Sequence, residues 1–370
     1  MAEDSAKEPE ISVLVPIYNV ERYLRTCLES LHTQTFGDFE AICVNDGSTD
    51  GSRAIIQEFV DADPRFRVID KTNSGYGASM NRGLKEARGR FVAILESDDF
   101  FEPDALARLY NTAVAADADV VKANFWLYWS CPEERRELFR VVDAREASGV
   151  FVPLDDVALF FRKPSIWSAL YKRSFLEQNG IRFLETPGAS YQDAGFNFKV
   201  WSCTKRVACL EEPVLCYRQD NEASSVNSLS KVFCVCDEYE SMDKFLDALD
   251  LSAADLRKLR DILTRMKLDS YLWNYDRLSD ELKPQFVERV SEEFSRDLSR
   301  GFDWTFFEPG ARADFEAIAS RPEAFLRSRN AGGSIGRLFT LGGLALLMRM
   351  MFFKLFGSSA RRTNEKGAAA

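Results

Sequence analysis

Three acidic residues follow one short apolar run, and their types and spacing suit metal and phosphate chemistry. In the stretch VAILESDDFFEPDAL, Glu96, Asp98 and Asp99 come directly after residues 92–95. Like charges this close repel one another, and burial makes each carboxylate costlier. Mg²⁺ and Mn²⁺ prefer oxygen ligands, and Mg²⁺ is typically held by one or two carboxylates together with substrate phosphates. The sequence therefore predicts a divalent cation, Mn²⁺ or Mg²⁺, that also binds phosphate oxygens.

Polar residues follow other apolar runs as well. Asp46 comes after the run FEAICVN, and Asn19 and Asp50 come before stretches with helical spacing. A side-chain oxygen that caps the next helix is enough to explain Asn19 and Asp50. Capping does not explain Asp46 or the three acids, because a single cap satisfies a helix start. These four carboxylates therefore predict a ligand site.

Five short apolar runs alternate with helical patterns in the first 125 residues. The runs are ISVLVPI, FEAICVN, RFRVID, RFVAILE and ADVVKANF. Helical patterns lie between them, around residues 23–31, 53–61, 80–87 and 103–115, and the Gly-rich segment KTNSGYGAS precedes the third helical pattern. This alternation predicts an α/β fold with a mostly parallel sheet and helices on both faces. Ligands bind beyond the carboxyl ends of strands in such sheets, where these polar residues lie.

The chain changes character twice after these runs. Residues 126–220 are irregular and rich in aromatic side chains. From residue 231 to about 300, apolar residues recur at three- and four-residue spacing, which is typical of helices. We expect four segments in chain order: residues 10–125 and 126–226, which together form one domain (10–226), a helical appendage (231–330) and a tail (331–370).

Composition and missing motifs argue against several classes of protein. The net charge of −10 disfavours a nucleic-acid binder, which needs a basic face. The sequence has no GxxxxGK[ST] and no GxGxxG after the first run, which disfavours P-loop and dinucleotide-binding proteins. The eight cysteines form no CxxC pair and His32 is the only histidine, so we expect neither a zinc site nor a disulfide framework. The acidic N-terminus, MAEDSAKEPE, lacks an apolar signal region, so we expect a reduced, cytoplasmic protein.

The last residues combine apolar character with positive charge. From Arg327 onward eight Lys and Arg residues stand against Glu365, a balance of +7 that leaves −17 for the rest. The segment SIGRLFTLGGLALLMRMMFFKLFGSSARR is the most apolar in the chain, and Arg349 interrupts its centre. A spanning helix needs about 20 largely uncharged residues, and a central Arg costs about 2.5–3.5 kcal/mol. We therefore expect the tail to lie on the inner face of the cell membrane, with a last helix packed on the soluble body as the alternative.

Four motifs occur together and in a fixed order. They are P-x-Y-N in the first loop, N-D-G-S-x-D in the second, N-x-G-x-x-x-x-x-N in the third, and the acidic triplet. In this combination the sequence resembles the nucleotide-sugar half of inverting family-two glycosyltransferases of the GT-A fold, closely over residues 10–120 and more weakly to about residue 226. The resemblance implies a Rossmann-like, mostly parallel sheet flanked by helices. It also implies metal-dependent transfer of a sugar from a nucleotide-diphosphate donor, with a UDP-sugar favoured, to a hydroxyl acceptor in cell-surface glycan or polysaccharide synthesis.

The resemblance implies roles for residues in the first three loops. Pro16 and Tyr18 would line the nucleotide base pocket. Asp46 would hydrogen-bond the base, which in this family is most often uracil. Asn73 and Gly75 would lie in the loop that approaches the nucleotide and the donor sugar.

The acidic triplet corresponds to the family's D-x-D element, which binds the metal and the diphosphate. Asp98 matches this element, but its first acid is Glu96 rather than Asp. The longer carboxylate can still reach a ribose hydroxyl or a metal-bound water. We take Asp98 and Asp99 as candidate metal ligands, and which of the three acids touches the ion directly stays open.

An inverting transfer also needs a base that takes the proton of the acceptor hydroxyl. Similar enzymes carry this base in an E-D pair, and the segment SYQDAGFNFKVW offers Asp193 at the matching place, with Gln192 in place of the Glu. Gln192 cannot act as a base, so the role falls to Asp193, which can also cap a helix that begins at Ala194. In CYRQDNEASSV, which resembles the family's Y-R-x-x-x-x-S segment, Arg218 offers a planar fork to the diphosphate or forms a surface salt bridge.

We keep two alternative hypotheses beside that of a glycosyltransferase that acts on a glycan or lipid-linked acceptor. A sugar nucleotidyltransferase also uses acids at strand ends, but it usually has a Gly-rich first loop, and PIYNVERYL has no glycine. The Glu96 and Gln192 departures keep open a non-catalytic assembly or binding protein with the same fold. The sequence does not indicate the donor sugar, the acceptor or the oligomeric state.

Overall fold

The computed structural model describes residues 8–221 and 232–331. They form two compact units that divide between Leu251 and Ser252, later than the start of the appendage predicted at residue 231. The predicted tail, 331–370, lies outside the described residues except for its first residue. Within the described part of the chain, no helix is long and apolar enough to cross a membrane.

The first unit is built on one mixed sheet with helices around it. Its strands in chain order are β1 (Ile11–Ile17), β2 (Phe39–Asn45), β3 (Phe66–Asp70), β4 (Phe91–Ile94), β5 (Phe100–Phe101), β6 (Val120–Trp129), β7 (Arg135–Phe139), β8 (Val150–Phe151), β9 (Ala169–Lys172) and β10 (Val207–Arg218). Its helices are α1 (Glu21–His32), α2 (Ser52–Ala62), α3 (Tyr76–Glu86), α4 (Ala105–Ala116), α5 (Ala144–Ala147), α6 (Arg173–Gln178), α7 (Gln192–Cys203) and α8 (Cys234–Asp247).

The strand order in the sheet is β3-β2-β1-β4-β9-β6-β10-β5, with β7 paired to β6 and β8 to β10. Strands β1 to β4 pair in parallel, so Ile17, Asn45 and Asp70 lie side by side at one edge. Strand β9 runs antiparallel between β4 and β6, whereas β6 and β10 are parallel. The predicted α/β fold is confirmed, and the loops after β2, β3 and β4 lie at the same edge of the sheet.

The burial of the first strands on both faces explains why their sequences are unbroken apolar runs. All seven positions of β1 and all seven of β2 are buried, as expected for a sheet covered on both faces. Helix α1 packs its predicted stripe inward, with Leu24, Cys27, Leu28 and Leu31 buried. The sheet edge that carries the polar residues is therefore held by a continuous core.

The prediction that Asn19 caps α1 is wrong. The Asn19 carbonyl oxygen Oδ1 accepts a hydrogen bond from the Thr49 N–H at 2.8 Å, in the loop after β2. The first N–H of α1, from Glu21, donates instead to Asp50 Oδ2 at 3.0 Å. The cap comes from a residue about thirty positions away in the chain. It is available because the loops after β1 and β2 are joined by hydrogen bonds.

Helix α3 begins earlier than the Gly-rich segment predicts. It starts at Tyr76 instead of about Met80, directly after Gly75, which has a φ of 92° that favours glycine. A Cβ on Gly77 would lie 2.0 Å from the Leu184 carbonyl oxygen. The glycines in this segment therefore allow a neighbouring backbone to approach the first turn of the helix, where the composition indicated a loop.

The second unit is helical, as the spacing of apolar residues predicts. Its helices are α9 (Ala253–Arg277), α10 (Lys283–Arg300), α11 (Pro309–Ser320) and α12 (Pro322–Ala331). Leu259, Ile262 and Leu263 are buried on α9. The rings of Phe294 and Phe315 stack with centroids 4.1 Å apart, which joins α10 to α11.

Candidate active site

Asp46 lies at the end of β2 with its carboxylate directed at the loop after β3. The N–H groups of Ser74 and Gly75 donate to its two oxygens at 2.9 and 3.0 Å. The Lys71 ammonium forms a close ion pair with the same carboxylate. Only 5% of Asp46 is exposed. Its charge is therefore balanced by a cation and by two backbone dipoles, all from the loop after β3.

The loops after β2 and β3 fit closely because of one glycine. Gly47 has a φ of 73°, and a Cβ at this position would lie 3.0 Å from the Asn73 backbone nitrogen. Asn73 itself has an exposed side chain. The structure thus brings together Asp46, Asn73 and Gly75, three of the residues predicted to contact the nucleotide or the donor sugar.

Pro16 and Tyr18 lie at the end of β1, beside this pair of loops. Pro16 is a buried residue of the strand, in register with Val44 of β2. The Tyr18 side chain is 51% exposed, which is high for a large aromatic residue. An exposed ring at the carboxyl edge of the sheet has a face available for a planar ligand such as a base.

Glu96 lies after β4, turned toward α3. The Tyr76 hydroxyl donates a hydrogen bond to Glu96 Oε1 at 2.6 Å. The pKa of Glu96 is raised to about 8, mainly by burial and to a smaller extent by the charges of Asp98 and Asp193, while the Tyr76 hydrogen bond opposes the rise. Besides the two expected contacts of this longer carboxylate, with a ribose hydroxyl or a metal-bound water, the structure shows a further use. The Glu96 carboxylate joins the end of β4 to the start of α3.

Asp99 is almost completely buried and faces strand β10. Its Oδ1 atom accepts the Arg218 backbone N–H at 2.8 Å. Its Oδ2 atom is buried and has no hydrogen-bond partner among the described residues. Burial, and then the charge of Asp98, raise the pKa of this carboxyl well above its usual range. An unpaired buried oxygen of this kind is costly unless a cation or donor satisfies it.

Asp98 is less buried than Asp99. Its Oδ2 atom accepts a hydrogen bond from the Asn221 amide at 2.7 Å. Its backbone carbonyl accepts the Arg218 Nε–H at 3.0 Å. The side chain therefore keeps lone pairs available beyond this one amide contact, which a metal ligand needs.

Arg218 is not at the surface, which rules out the surface salt bridge as its role. It is only 7% exposed, and its guanidinium lies over the rings of Tyr23 and Tyr128, 4.6 and 5.1 Å from their centroids. It also pairs with Asp220 at 3.3 Å. Arg218 therefore braces the acid-bearing loop through the Asp98 carbonyl and places one positive charge beside the cluster.

Asp193 is the second residue of α7, which begins at Gln192 and so earlier than the predicted start at Ala194. Its Oδ1 atom accepts the Ala194 N–H at 2.8 Å. Burial raises the pKa of Asp193, while this N–H and the charge of Lys163 lower it. The carboxyl is near enough to Glu96 to raise the pKa of that residue. Tyr76 connects the two regions, because its hydroxyl bonds Glu96 and its backbone N–H bonds the carbonyl of Gly188, five residues before Asp193.

Two residues near the acids, Tyr76 and Lys163, were not given a role by any motif. Tyr76 bonds Glu96, as described above. Lys163 is mostly buried, its ammonium lies 5.0 Å from the centroid of the Tyr217 ring, and burial lowers its pKa against the effect of Asp193 and Asp99. Lys163 lies outside any recognisable pattern, 30 residues before Asp193 and 64 residues after Asp99, and so leaves no signal in a single sequence.

No group of three or more His, Cys, Asp or Glu side chains is arranged to hold a metal ion in residues 8–221 and 232–331. Mg²⁺ is typically held by one or two carboxylates together with substrate phosphates. The accessible Asp98 carboxylate and the unpaired Asp99 oxygen fit such an ion.

Comparison with known proteins identifies the family. Residues 12–200, about half of the chain, match the model of the family described as glycosyl transferase family 2. The chain belongs to this family. The predicted membership of family two is therefore confirmed, including its assignment to a family of transferase enzymes.

The chain is similar to several curated proteins over part of its length. The chain is 36% identical to EpsH of Bacillus subtilis over 57% of its own length and 61% of that protein. It is 34% identical to the glycosyltransferase GlyA of Streptococcus pneumoniae, over 57% of its own length and 31% of that protein. It is 41% identical to the chondroitin synthase of Escherichia coli over 26% and 14% of the two lengths. The chain thus spans less than two thirds of these relatives.

Solved structures confirm the GT-A fold. The structure of residues 1–349 of S. aureus TarS in complex with UDP-GlcNAc has a TM-score of 0.71 and 20% identity, covering 88% of this chain and 92% of that one. The mannosyltransferase PcManGT of Pyrobaculum calidifontis, in complex with GDP-Man and Mn²⁺, has a TM-score of 0.50 and 16% identity, covering 90% and 89%. At these identities the likeness concerns the fold.

Proposed function

We propose that the protein is a metal-dependent inverting glycosyltransferase that moves a sugar from a UDP-sugar to a hydroxyl group of a cell-surface glycan or lipid-linked acceptor. The observation that carries this proposal is that Tyr76 connects Glu96, after β4, with Gly188, five residues before the candidate base Asp193. The UDP-GlcNAc complex of the TarS structure supports the donor class. The chondroitin synthase relative supports a role in polysaccharide synthesis.

The donor nucleotide would bind at the loops after β1, β2 and β3. Asp46 would accept a hydrogen bond from the base, and Tyr18 has an exposed ring for contact with its face. Asp46 now holds Lys71 and two backbone N–H groups, so its orientation is set before the nucleotide arrives. Such preorganisation reduces the cost of ordering side chains on binding.

Asp98 and Asp99 would hold Mn²⁺ or Mg²⁺ together with the diphosphate oxygens. The PcManGT complex with Mn²⁺ supports this in a protein of similar fold. When bound, the ion supplies positive charge that stabilises the leaving diphosphate, so no general acid is needed. Arg218, buried beside the cluster, would keep the loop that carries both acids in place and lower the charge repulsion between them.

Asp193 would remove the proton of the acceptor hydroxyl as that oxygen attacks the anomeric carbon. Burial raises the pKa of its carboxyl and so makes the carboxylate a stronger base, while Lys163 opposes the rise and favours the ionised form. The bond to the diphosphate breaks on the opposite face of the sugar, and the configuration inverts. Positioned general bases contribute about 10²–10⁴-fold to such steps.

The tail would place this site at the inner face of the cell membrane. The support is in the sequence alone, where Arg349, Lys354, Arg361 and Arg362 accompany an apolar segment suited to the membrane interface. Flotation with anionic liposomes tests this, comparing the full chain with one that ends near Asn330. The full chain alone is expected to float, and equal behaviour of both chains would contradict the proposal.

A thermal-shift screen of UDP-, GDP- and dTDP-sugars with Mn²⁺ tests the donor, followed by donor hydrolysis before and after EDTA. We expect UDP-sugars to raise the melting temperature and hydrolysis to stop with EDTA. Binding without hydrolysis by any donor would indicate a non-catalytic protein that retains the fold. Stabilisation by GDP- or dTDP-sugars alone would contradict the UDP assignment.

A further inference from the structure

Gln192 has an almost fully buried side chain that holds the segment before Asp193. Its Nε2 atom donates to Thr186 Oγ1 at 2.9 Å and lies 3.5 Å from the Gly188 carbonyl oxygen. Its Oε1 atom accepts the Ser190 N–H. Only 2% of the residue is exposed. One side-chain amide therefore uses both its donor and its acceptor on a single segment, residues 186–190.

An amide suits this place better than a carboxylate. A Glu at position 192 would have no N–H for Thr186 Oγ1, and it would face the Gly188 carbonyl oxygen with like partial charge. It would also add a buried acid directly before Asp193, whose pKa is already raised by burial. The replacement of the Glu of the E-D pair by Gln192 thus ties the segment without increasing the negative charge of the site.

Segment 186–190 makes close backbone contacts with residues 75 and 76, in the loop predicted to approach the nucleotide and the donor sugar. The Tyr76 N–H donates to the Gly188 carbonyl at 3.0 Å. A Cβ on Gly75 would lie 2.5 Å from the Thr186 carbonyl oxygen and 2.8 Å from the Gly188 nitrogen. Gly75 is also the residue whose N–H binds Asp46. Residues 75 and 76 therefore lie between the Asp46 loop and segment 186–190.

Tyr76 continues this connection to the acids. Its backbone holds Gly188, and its hydroxyl holds Glu96 at 2.6 Å. Its ring packs edge-on against Phe183, with centroids 5.8 Å apart. A continuous path of hydrogen bonds thus runs from Gln192 through Gly188 and Tyr76 to Glu96, at the end of β4.

The backbone at the start of α7 needs such support. Tyr191 has a φ of 46°, in the left-handed region that an aromatic residue rarely adopts. Conformations of this kind persist only where the surrounding structure determines them. The two neighbours of Tyr191, Ser190 and Gln192, are joined by a hydrogen bond across it. The turn that presents Asp193 is therefore held in a strained shape by the Gln192 amide.

We infer that Gln192 and Tyr76 are positioning residues that act as one unit, with Gln192 fixing Asp193 and Tyr76 fixing Glu96 through the shared segment 186–190. The inference rests on the proposed function, because it concerns how the base and the donor-side acid are aligned. It assigns a use to both departures from the family pattern, Gln192 and Glu96, which otherwise suggest a loss of activity.

The test compares Gln192→Met, Tyr76→Phe and the double variant of the full chain. UDP affinity with Mn²⁺ is measured by calorimetry, and turnover is measured as UDP release from the best donor of the screen. Gln192→Met is expected to lower turnover per UDP-binding site about tenfold with UDP affinity little changed, whereas Tyr76→Phe is expected to weaken UDP affinity more than turnover. For turnover and for UDP affinity alike, the fold loss in the double variant should be smaller than the product of the fold losses in the two single variants, as for residues in one network.

Gln34→Met is the matched control. Gln34 is also a buried glutamine, and its amide bonds the backbone of Ser30, Glu102 and Leu106 at 2.8–3.1 Å. It should lower the melting temperature as Gln192→Met does but leave turnover per binding site unchanged. Equal turnover in the Gln192→Met and Gln34→Met chains, or multiplicative losses in the double variant, would overturn the inference alone. A wild-type chain that neither binds UDP nor releases it from any donor would overturn the proposed function, and the inference with it.

Discussion

The ends of β2 and β4 carry acids at the same edge of the sheet, yet their surroundings differ. Asp46 follows β2 and receives an ammonium and two backbone N–H groups from one loop. Asp99 follows β4 and is equally buried, but its Oδ2 atom has no partner among the described residues. The two sites have the same kind of side chain at the same topological position, but only Asp46 has a side-chain cation paired directly with its carboxylate. At the second site the Arg218 guanidinium bonds the Asp98 backbone carbonyl instead.

This difference separates two kinds of binding. A carboxylate that is already paired offers a fixed acceptor, which suits the N–H of a planar base. A group of carboxylates with raised pKa values gains most from a cation, because the cation removes the penalty of burying them. The cluster after β4 is therefore where a metal and phosphates would change the energetics most.

The largest expected effect comes from Asp193, the candidate base. Asp193→Asn keeps the shape and an oxygen for the Ala194 N–H but cannot accept a proton. Turnover should fall about 10²–10⁴-fold, with UDP affinity nearly unchanged. Steady-state turnover and calorimetry check this. Retention of more than about a third of wild-type turnover would mean that the base lies elsewhere.

Removal of the Asp98 carboxylate, after β4, should abolish the dependence of UDP affinity on Mn²⁺. In Asp98→Ala, UDP affinity with Mn²⁺ should fall by at least about 10–100-fold, because metal sites lose this much even from changes outside the ligands. Without Mn²⁺, wild type and variant should bind UDP equally weakly. Calorimetry in both conditions provides the measurement, and an Asp98→Ala chain that still gains affinity from Mn²⁺ would contradict the assignment.

Asp46→Asn tests the opposite side of the comparison. Loss of a charge-assisted hydrogen bond to the base should weaken UDP about tenfold, and by the same factor with and without Mn²⁺. The shared factor is the informative result, since Asp46 has its own counter-charge in Lys71. If the loss appeared only with Mn²⁺, the two strand ends would not be independent.

The smallest expected effect is on stability without ligand. The pKa of Glu96 is about 8 in the folded chain against 4.5 as its ordinary value, so between these values the folded state binds more protons than the unfolded state. The free energy of unfolding should therefore fall as pH rises from about 4.5 to 8. A fall in melting temperature of at least about 2–4 °C is expected, the change that 1 kcal/mol produces in chains of about 150–250 residues.

Glu96→Gln is the control for this pH dependence, because it keeps an acceptor for the Tyr76 hydroxyl and does not titrate. Glu238 also has a raised pKa of about 8 from burial, so the informative quantity is the difference in slope between wild type and variant. Thermal melts across this pH range provide it. Parallel slopes in the two chains would show that Glu96 ionises freely in the folded state.

The sequence by itself determined most of the strands and helices of the first 125 residues and the positions of the acids. Continuous apolar runs predicted β1 and β2 with the bounds that the structure shows, and the order of motifs predicted the family and the fold. Asp46, Asp98 and Asp193 stood out for the same reason, since each lies in a short pattern that can be read without knowledge of distant residues.

Only the tertiary structure decided how those acids are supported. Asp99 meets the Arg218 N–H across 119 positions of sequence, and the segment that Gln192 holds meets Tyr76 across more than a hundred. Such contacts leave no periodic or local signal, because they depend on which strands are neighbours in the sheet and how closely two loops approach. Periodicity reports which face of an element is buried, whereas the charge and strain of a site depend on what that face meets.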